Sequence, residues 1–140
     1  MKLRVIVAAM VTVMLLPALT LAGNVVIIGN SSVPVSELSK KDIGNIFLGK
    51  RTAWEDDSKV IFVVLNDAKI QKAFLKEFVN KSLSQYDRFW KKQVFTGKGS
   101  SPRAYTSEKE LVKYVSETKG AIGYVLVGTN LDAVKTIRVK

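Results

Sequence analysis

The residues best suited to chemistry are gathered in one stretch, Val94-Phe95-Thr96-Gly97-Lys98-Gly99-Ser100-Ser101-Pro102-Arg103. It holds two glycines, three hydroxyls, two cations and a proline, between two helix-like segments. Glycine lets backbone N–H groups approach a ligand closely, and hydroxyls and cations favour an oxyanion. A ligand held by this chain is expected to meet this loop. Two further turn-rich segments, Gly29-Asn30-Ser31-Ser32 and Asn66-Asp67-Ala68, each follow a strand-like run. In open α/β sheets ligands sit at the carboxyl ends of strands, where free N–H groups and helix dipoles favour anions. Convergence of the three segments would make Ser31, Ser32, Asn66, Thr96, Gly97, Lys98, Gly99 and Ser100 the ligand-binding candidates. Each segment taken alone also reads as ordinary turn chemistry.

Other chemistries are poorly supported. The chain has neither histidine nor cysteine, which removes the usual general base, the thiol nucleophile and most zinc or copper sites. Lys98 and Ser100 are close enough for a serine–lysine pair, but nothing orients them and no strand-to-helix elbow exposes the serine. Glu55, Asp56 and Asp57 lack the alternating spacing and glycine of a calcium loop and read as a solvated turn. Gly97-Lys98-Gly99-Ser100 follows a helix, whereas a nucleotide P-loop follows a strand and carries a longer motif. No cofactor, metal or catalytic residue is expected.

These loops need a scaffold, and the first 22 residues are not part of it. Lys2 and Arg4 precede an apolar run from Val5 to Leu16, then Pro17 and the small-residue end Thr20-Leu21-Ala22. This is the pattern of a secretory signal peptide, too short in its apolar core for a bilayer span, with cleavage expected after Ala22. Residues 23–140 then form one periplasmic or secreted domain, soluble and without the cysteine a lipoprotein anchor requires. Without Lys2 and Arg4 the basic surplus is eight charges, which either favours polyanionic neighbours or simply keeps the surface solvated.

The elements alternate. Asn24–Gly29, Val60–Leu65 and Ala121–Leu126 are continuous apolar runs of the kind covered on both faces. Ser39 with Asp42 opens a helix whose inward stripe is Ile43, Ile46 and Phe47, ended by Gly49. Asn66 or Asp67 caps a second helix, with Ile70, Phe74 and Phe78 inward and Lys69, Lys72 and Lys76 outward. Ser84 opens a third, with Tyr86, Trp90 and Val94 on its buried face and Phe89 beside them. Ser107 and Glu110 make a capping box for a fourth, which buries Leu111, Val112 and Val115 and ends at Gly120. Val134–Val139 alternates like an edge strand with one wet face. The expected fold is a single α/β domain, a mainly parallel sheet with flanking helices.

With these residues laid out, the chain resembles small type 2 periplasmic solute-binding proteins of the phosphate ABC transporter kind. Leu38-Ser39, Ile46-Phe47-Leu48-Gly49-Lys50 and Trp54 resemble one signature of that family. Phe95-Thr96-Gly97-Lys98-Gly99 with Pro102, and Gly120-Ala121-Ile122-Gly123-Tyr124-Val125, resemble later ones. The resemblance implies one lobe of a type 2 periplasmic binding protein, an extracytoplasmic binding site and no catalysis. Full-length phosphate receptors are far longer and close two lobes on the ligand, and this chain has room for one. In the family the strand matching Val60–Leu65 leads into an Arg-x-Ser-Gly-Thr-like segment that wraps phosphate. Here Asn66-Asp67-Ala68 supplies neither arginine, glycine nor hydroxyl. At about 4 Å and an effective dielectric near 20, the Asp67 carboxylate would oppose each unit of phosphate charge by on the order of 4 kcal/mol. Tight phosphate capture is therefore expected to be lost or much weakened.

Two function classes follow. In the first, a single-lobe solute-binding-like module takes phosphate or another small anion weakly, with an ABC permease or a membrane sensor as its partner. In the second, a non-catalytic interaction protein uses a basic face, the Lys69/Lys72/Lys76 stripe among it, on a protein, membrane or polysaccharide partner; nucleic acid is not expected. A homodimer would be a further way to rebuild a two-lobed cleft.

Overall fold

The computed structural model describes residues 25–140, so the expected signal peptide and its cleavage point lie outside the described residues. Two strongly apolar runs become neighbouring interior strands, β3 (Ile61–Leu65) and β5 (Ala121–Leu126), paired in parallel. Around them the sheet is completed by β1 (Val25–Gly29), β2 (Glu37–Leu38), β4 (Arg103–Tyr105) and β6 (Lys135–Val139), in the order β2-β6-β1-β5-β3-β4. Among the described residues four α-helices accompany it: α1 (Lys40–Phe47), α2 (Ala68–Phe74), α3 (Leu83–Phe95) and α4 (Glu108–Glu117). A single π-helical turn, Leu75–Val79, continues α2.

The expected parallel pairing holds for β3 with β5, β3 with β4 and β2 with β6. β1, however, runs antiparallel to both neighbours, β5 and β6, so the sheet is mixed. An apolar run reports that both faces are covered and is silent on direction. Val25 lies opposite Leu126, so β1 meets a partner from far along the chain and no short crossover fixes its sense. β6 is also not the outermost strand. The two-residue β2 lies beyond it, with Glu37 opposite Arg138 and their side chains 2.8 Å apart. Ile137 alone is buried in β6, which matches its alternating sequence.

Helices cover both faces of the sheet. Successive strand residues point to opposite sides. A Cβ on Gly123 would meet Leu111 and Val115 of α4, while the adjacent Tyr124 stacks on Phe74 of α2 at 3.9 Å between ring centroids. Phe47 of α1 meets Phe74 edge-on at 4.6 Å, and the Tyr124 and Tyr86 hydroxyls donate to the carbonyls of Leu65 and Phe47. The caps follow the sequence with one shift, and at α4 only half of the expected Ser107/Glu110 box forms, the Ser107 hydroxyl accepting the Glu110 N–H. Ser39 and Ser107 cap α1 and α4 through their side chains, whereas α3 is opened by Ser82, not Ser84. Ser82 and Gln85 form a reciprocal capping box, the stronger start signal. Trp54, in the acidic loop, is buried and donates from Nε1 to the Gly120 carbonyl, while Glu55, Asp56 and Asp57 face solvent.

Candidate functional site

β3 ends at Leu65, and the chain turns there at Asn66, whose backbone N–H donates to the Tyr105 carbonyl at 2.7 Å. That bond holds the carboxyl ends of β3 and β4 together. Beside them lies an open cleft of about 410 Å³, with Asn66, Ala68 and Gln71 on one side, Tyr86, Asp87 and Trp90 of α3 on another, and Ser101, Pro102 and Ala104 on a third. Among the described residues, no lysine or arginine lines it, and its one formal charge is the Asp87 carboxylate, paired with Lys91 at 2.8 Å. Burial raises the Tyr86 hydroxyl above the ordinary tyrosine range. The neighbouring Trp90 N–H acts in the opposite sense, though without the alignment of a hydrogen bond, so Nε1 is buried and unpartnered.

Asn66 and the far end of the glycine loop meet at this cleft. Gly99 lies against Trp90, where an added Cβ would come within 3.2 Å of the indole, and Ser100 follows, exposed, before Ser101 joins the lining. The near end of the loop has another task. Thr96 N and Oγ1 donate to the Lys92 carbonyl, Gly97 N to Val94 O and Lys98 N to Gln93 O. Gly97, at φ +71°, supplies the left-handed turn that lets these amides fold back on the helix end. Thr96, Gly97 and Lys98 thus close the carboxyl terminus of α3, where the helix dipole is negative and an anion is disfavoured.

The start of α2 is closed as well. Asp67 Oδ1 accepts the N–H groups of Lys69 at 3.1 Å and Ile70 at 3.2 Å. These are the amides a bound oxyanion would need, and the chain fills them with its own carboxylate.

The third segment does not converge with the other two. Because β1 is antiparallel, its carboxyl end at Gly29 lies beside Ile122, and Ala121 lies beside Ile61 at the start of β3. Ser31 and Ser32 therefore stand at the opposite edge of the sheet from Asn66, one strand length of roughly 15 Å away. Ser32 Oγ accepts the Gly120 N–H at 3.0 Å, and Ser31 is exposed. Next to Ser32 lies a shallow groove with Asp56, Ser58, Lys59 and Lys119, where the Ser58 hydroxyl and amide hold the Asp56 carboxyl below its usual range. The expected convergence of three loops is corrected to two.

Helical spacing predicts Tyr86, Trp90 and Val94 on one buried face. Tyr86 and Trp90 are buried and also wall the cleft, whereas Val94 is 46% exposed. Asp87 and Gln71 gave no signal of their own; their helical spacing from Trp90 and from Asp67 was the available clue. Lys69, Lys72 and Lys76 are all exposed, as their stripe predicted.

Residues 18–138 match a protein family described as "PBP superfamily domain". No curated protein matches the sequence. Among solved structures the chain is similar to an ABC-type phosphate transport receptor from Vibrio cholerae, at 18% identity and TM-score 0.56, over 82% of this chain and 45% of that one. It is similar to PstS from Borrelia burgdorferi at 14% identity and TM-score 0.62, over 83% and 47%. A third, described as a possible phosphate binding protein from Planctomyces limnophilus, gives 15% identity and TM-score 0.61, over 83% and 41%. The chain spans less than half the length of each of these structures. At such identities the likeness is one of fold.

Proposed function

This chain belongs to the PBP superfamily domain family, and we propose that it is a single-lobe solute-binding module of the phosphate-transporter substrate-binding kind. It acts outside the cytoplasm after loss of its leader, performs no catalysis, and passes its signal or cargo to an ABC permease or a membrane sensor. Its recognition site is the cleft at the carboxyl end of β3, with Asn66, Gly99 and Ser100 at the rim. Ser31 and Ser32 belong to the far edge of the sheet, and Thr96, Gly97 and Lys98 serve the end of α3.

One observation carries the expected affinity: Asp67 already occupies the first-turn amides of α2. With those donors filled and no cation among the described residues lining the cleft, a phosphate dianion has little to replace its hydration. Phosphate and other small anions are therefore bound weakly, in the millimolar range. Isothermal titration against phosphate, sulfate and simple organic anions tests this. Micromolar phosphate binding would overturn the weak-site reading, and silence across the panel at millimolar ligand would remove small anions as ligands.

A further inference from the structure

The last turn of α3 carries a side chain that folding alone does not explain. Phe95 is 92% exposed and Val94 beside it 46%, in a chain whose other aromatic side chains are largely packed. Around them stand Arg88, Lys91, Lys92 and Lys98, all exposed. Arg88, Lys91, Lys92 and Phe95 recur at i, i+3, i+4 and i+7, which places them on one side of the helix. The single acid of the cluster, Asp87, is paired with Lys91. Arg88, Lys92 and Lys98 make no ion pair among the described residues. Just beyond, Gly97 turns the chain through open space, with nothing within 4 Å of where its Cβ would be. The result is a convex tip with an apolar point and a cationic collar.

We propose that this tip is an interfacial anchor that seats on an anionic lipid surface. Three features favour lipid over other polyanions. An acidic polysaccharide would use the cations and leave Phe95 in water. A protein partner would bury Phe95 in an interface core, where lysine is depleted, yet here lysines surround it. A lipid surface uses both parts, since an apolar side chain enters the headgroup and acyl boundary while the cations stay among the headgroups. Each lysine or arginine near such a surface is worth about fivefold in binding, and burying the phenyl ring about tenfold or more. Two or three such cations with one ring give reversible association rather than a fixed anchor.

The test uses the exported protein with its N-terminus checked by mass, so that any leader is accounted for and is common to every variant. Vesicles of equal parts phosphatidylglycerol and phosphatidylcholine are compared with vesicles of phosphatidylcholine alone in flotation. The expected result is binding to the anionic vesicles that weakens with salt. Phe95→Ser should lower it about tenfold, and Lys92→Gln with Lys98→Gln should lower it by at least as much while flattening the salt dependence. Phe95→Ser and the parent should melt at the same temperature, because an exposed ring contributes little to the fold. In Phe95→Trp, emission should shift to the blue on anionic vesicles and be quenched by brominated acyl chains. Association that is unchanged by Phe95→Ser, equal on neutral vesicles, or absent while an acidic protein or polysaccharide still binds would each overturn the proposal.

Discussion

Asp67 Oδ1 stands 3.2 Å from the backbone nitrogen of Ile70 and accepts its hydrogen bond. The same oxygen receives the Lys69 N–H, so one carboxylate closes the first turn of α2. Asp67→Ala is expected to lower stability by about 1 kcal/mol, the usual loss for an N-cap, and Asp67→Ser by a few tenths at most. Urea unfolding followed by circular dichroism measures both. Equal losses for alanine and serine would mean that the cap is not what Asp67 contributes.

Gly44 lies inside α1, where alanine would normally stabilise a helix by up to about 1 kcal/mol over glycine. A Cβ there would collide with the Phe78 carbonyl oxygen in the π-helical turn, which packs closely on α1. Gly44→Ala should therefore destabilise, by about 1–3 kcal/mol, as overpacking does. A raised melting temperature in this variant would show that α1 and the π-helical turn can separate without penalty.

These residues also show what the sequence could reveal. The runs Val60–Leu65 and Ala121–Leu126 located β3 and β5 within a residue, because a fully covered strand needs an unbroken apolar run. Ser39, Ser107 and the pair Asn66-Asp67 announced helix starts, and Gly49 a helix end, through local chemistry that does not depend on the rest of the fold. The direction of β1 did not show, because it is set by pairing with a strand about a hundred residues away, and that single fact moved Ser31 and Ser32 off the candidate site. β2 and β4, with two and three residues, are too short to carry a periodic signal. The glycine loop looked like an anion cradle because composition records which groups are present and not which carbonyls they already serve.

Asn30, read from sequence as one turn residue among several, is buried and joins two ends of the fold. Its Nδ2 donates to the carbonyls of Val115 at 2.8 Å and Ser116 at 3.0 Å, and its Oδ1 accepts the Ser32 N–H. Asn30→Ala would leave those groups without partners, for a loss of about 3 kcal/mol at roughly 1 kcal/mol or more each. Asn30→Asp keeps the acceptor but cannot donate, and should lose nearly as much. A loss below about 1 kcal/mol in thermal or urea unfolding would mean that water replaces the side chain.

The buried tyrosines give the fold an alkaline limit. Burial raises the hydroxyls of both Tyr86 and Tyr124 above their ordinary range, and each donates to a backbone carbonyl that ionisation would strand. In the unfolded chain both titrate near pH ~10. Above that pH the unfolded state releases protons that the folded state retains, so the unfolded state binds fewer and stability falls as pH rises. The contribution is fully present below pH ~10 and declines by up to about 1.4 kcal/mol per tyrosine for each pH unit above it. The informative comparison is with Tyr86→Phe and Tyr124→Phe. Each variant loses a hydrogen bond at neutral pH and should close part of its gap with the parent protein between pH ~10 and ~11.5. A stability difference that stays constant across that range would show that the two hydroxyls ionise as freely in the fold as outside it.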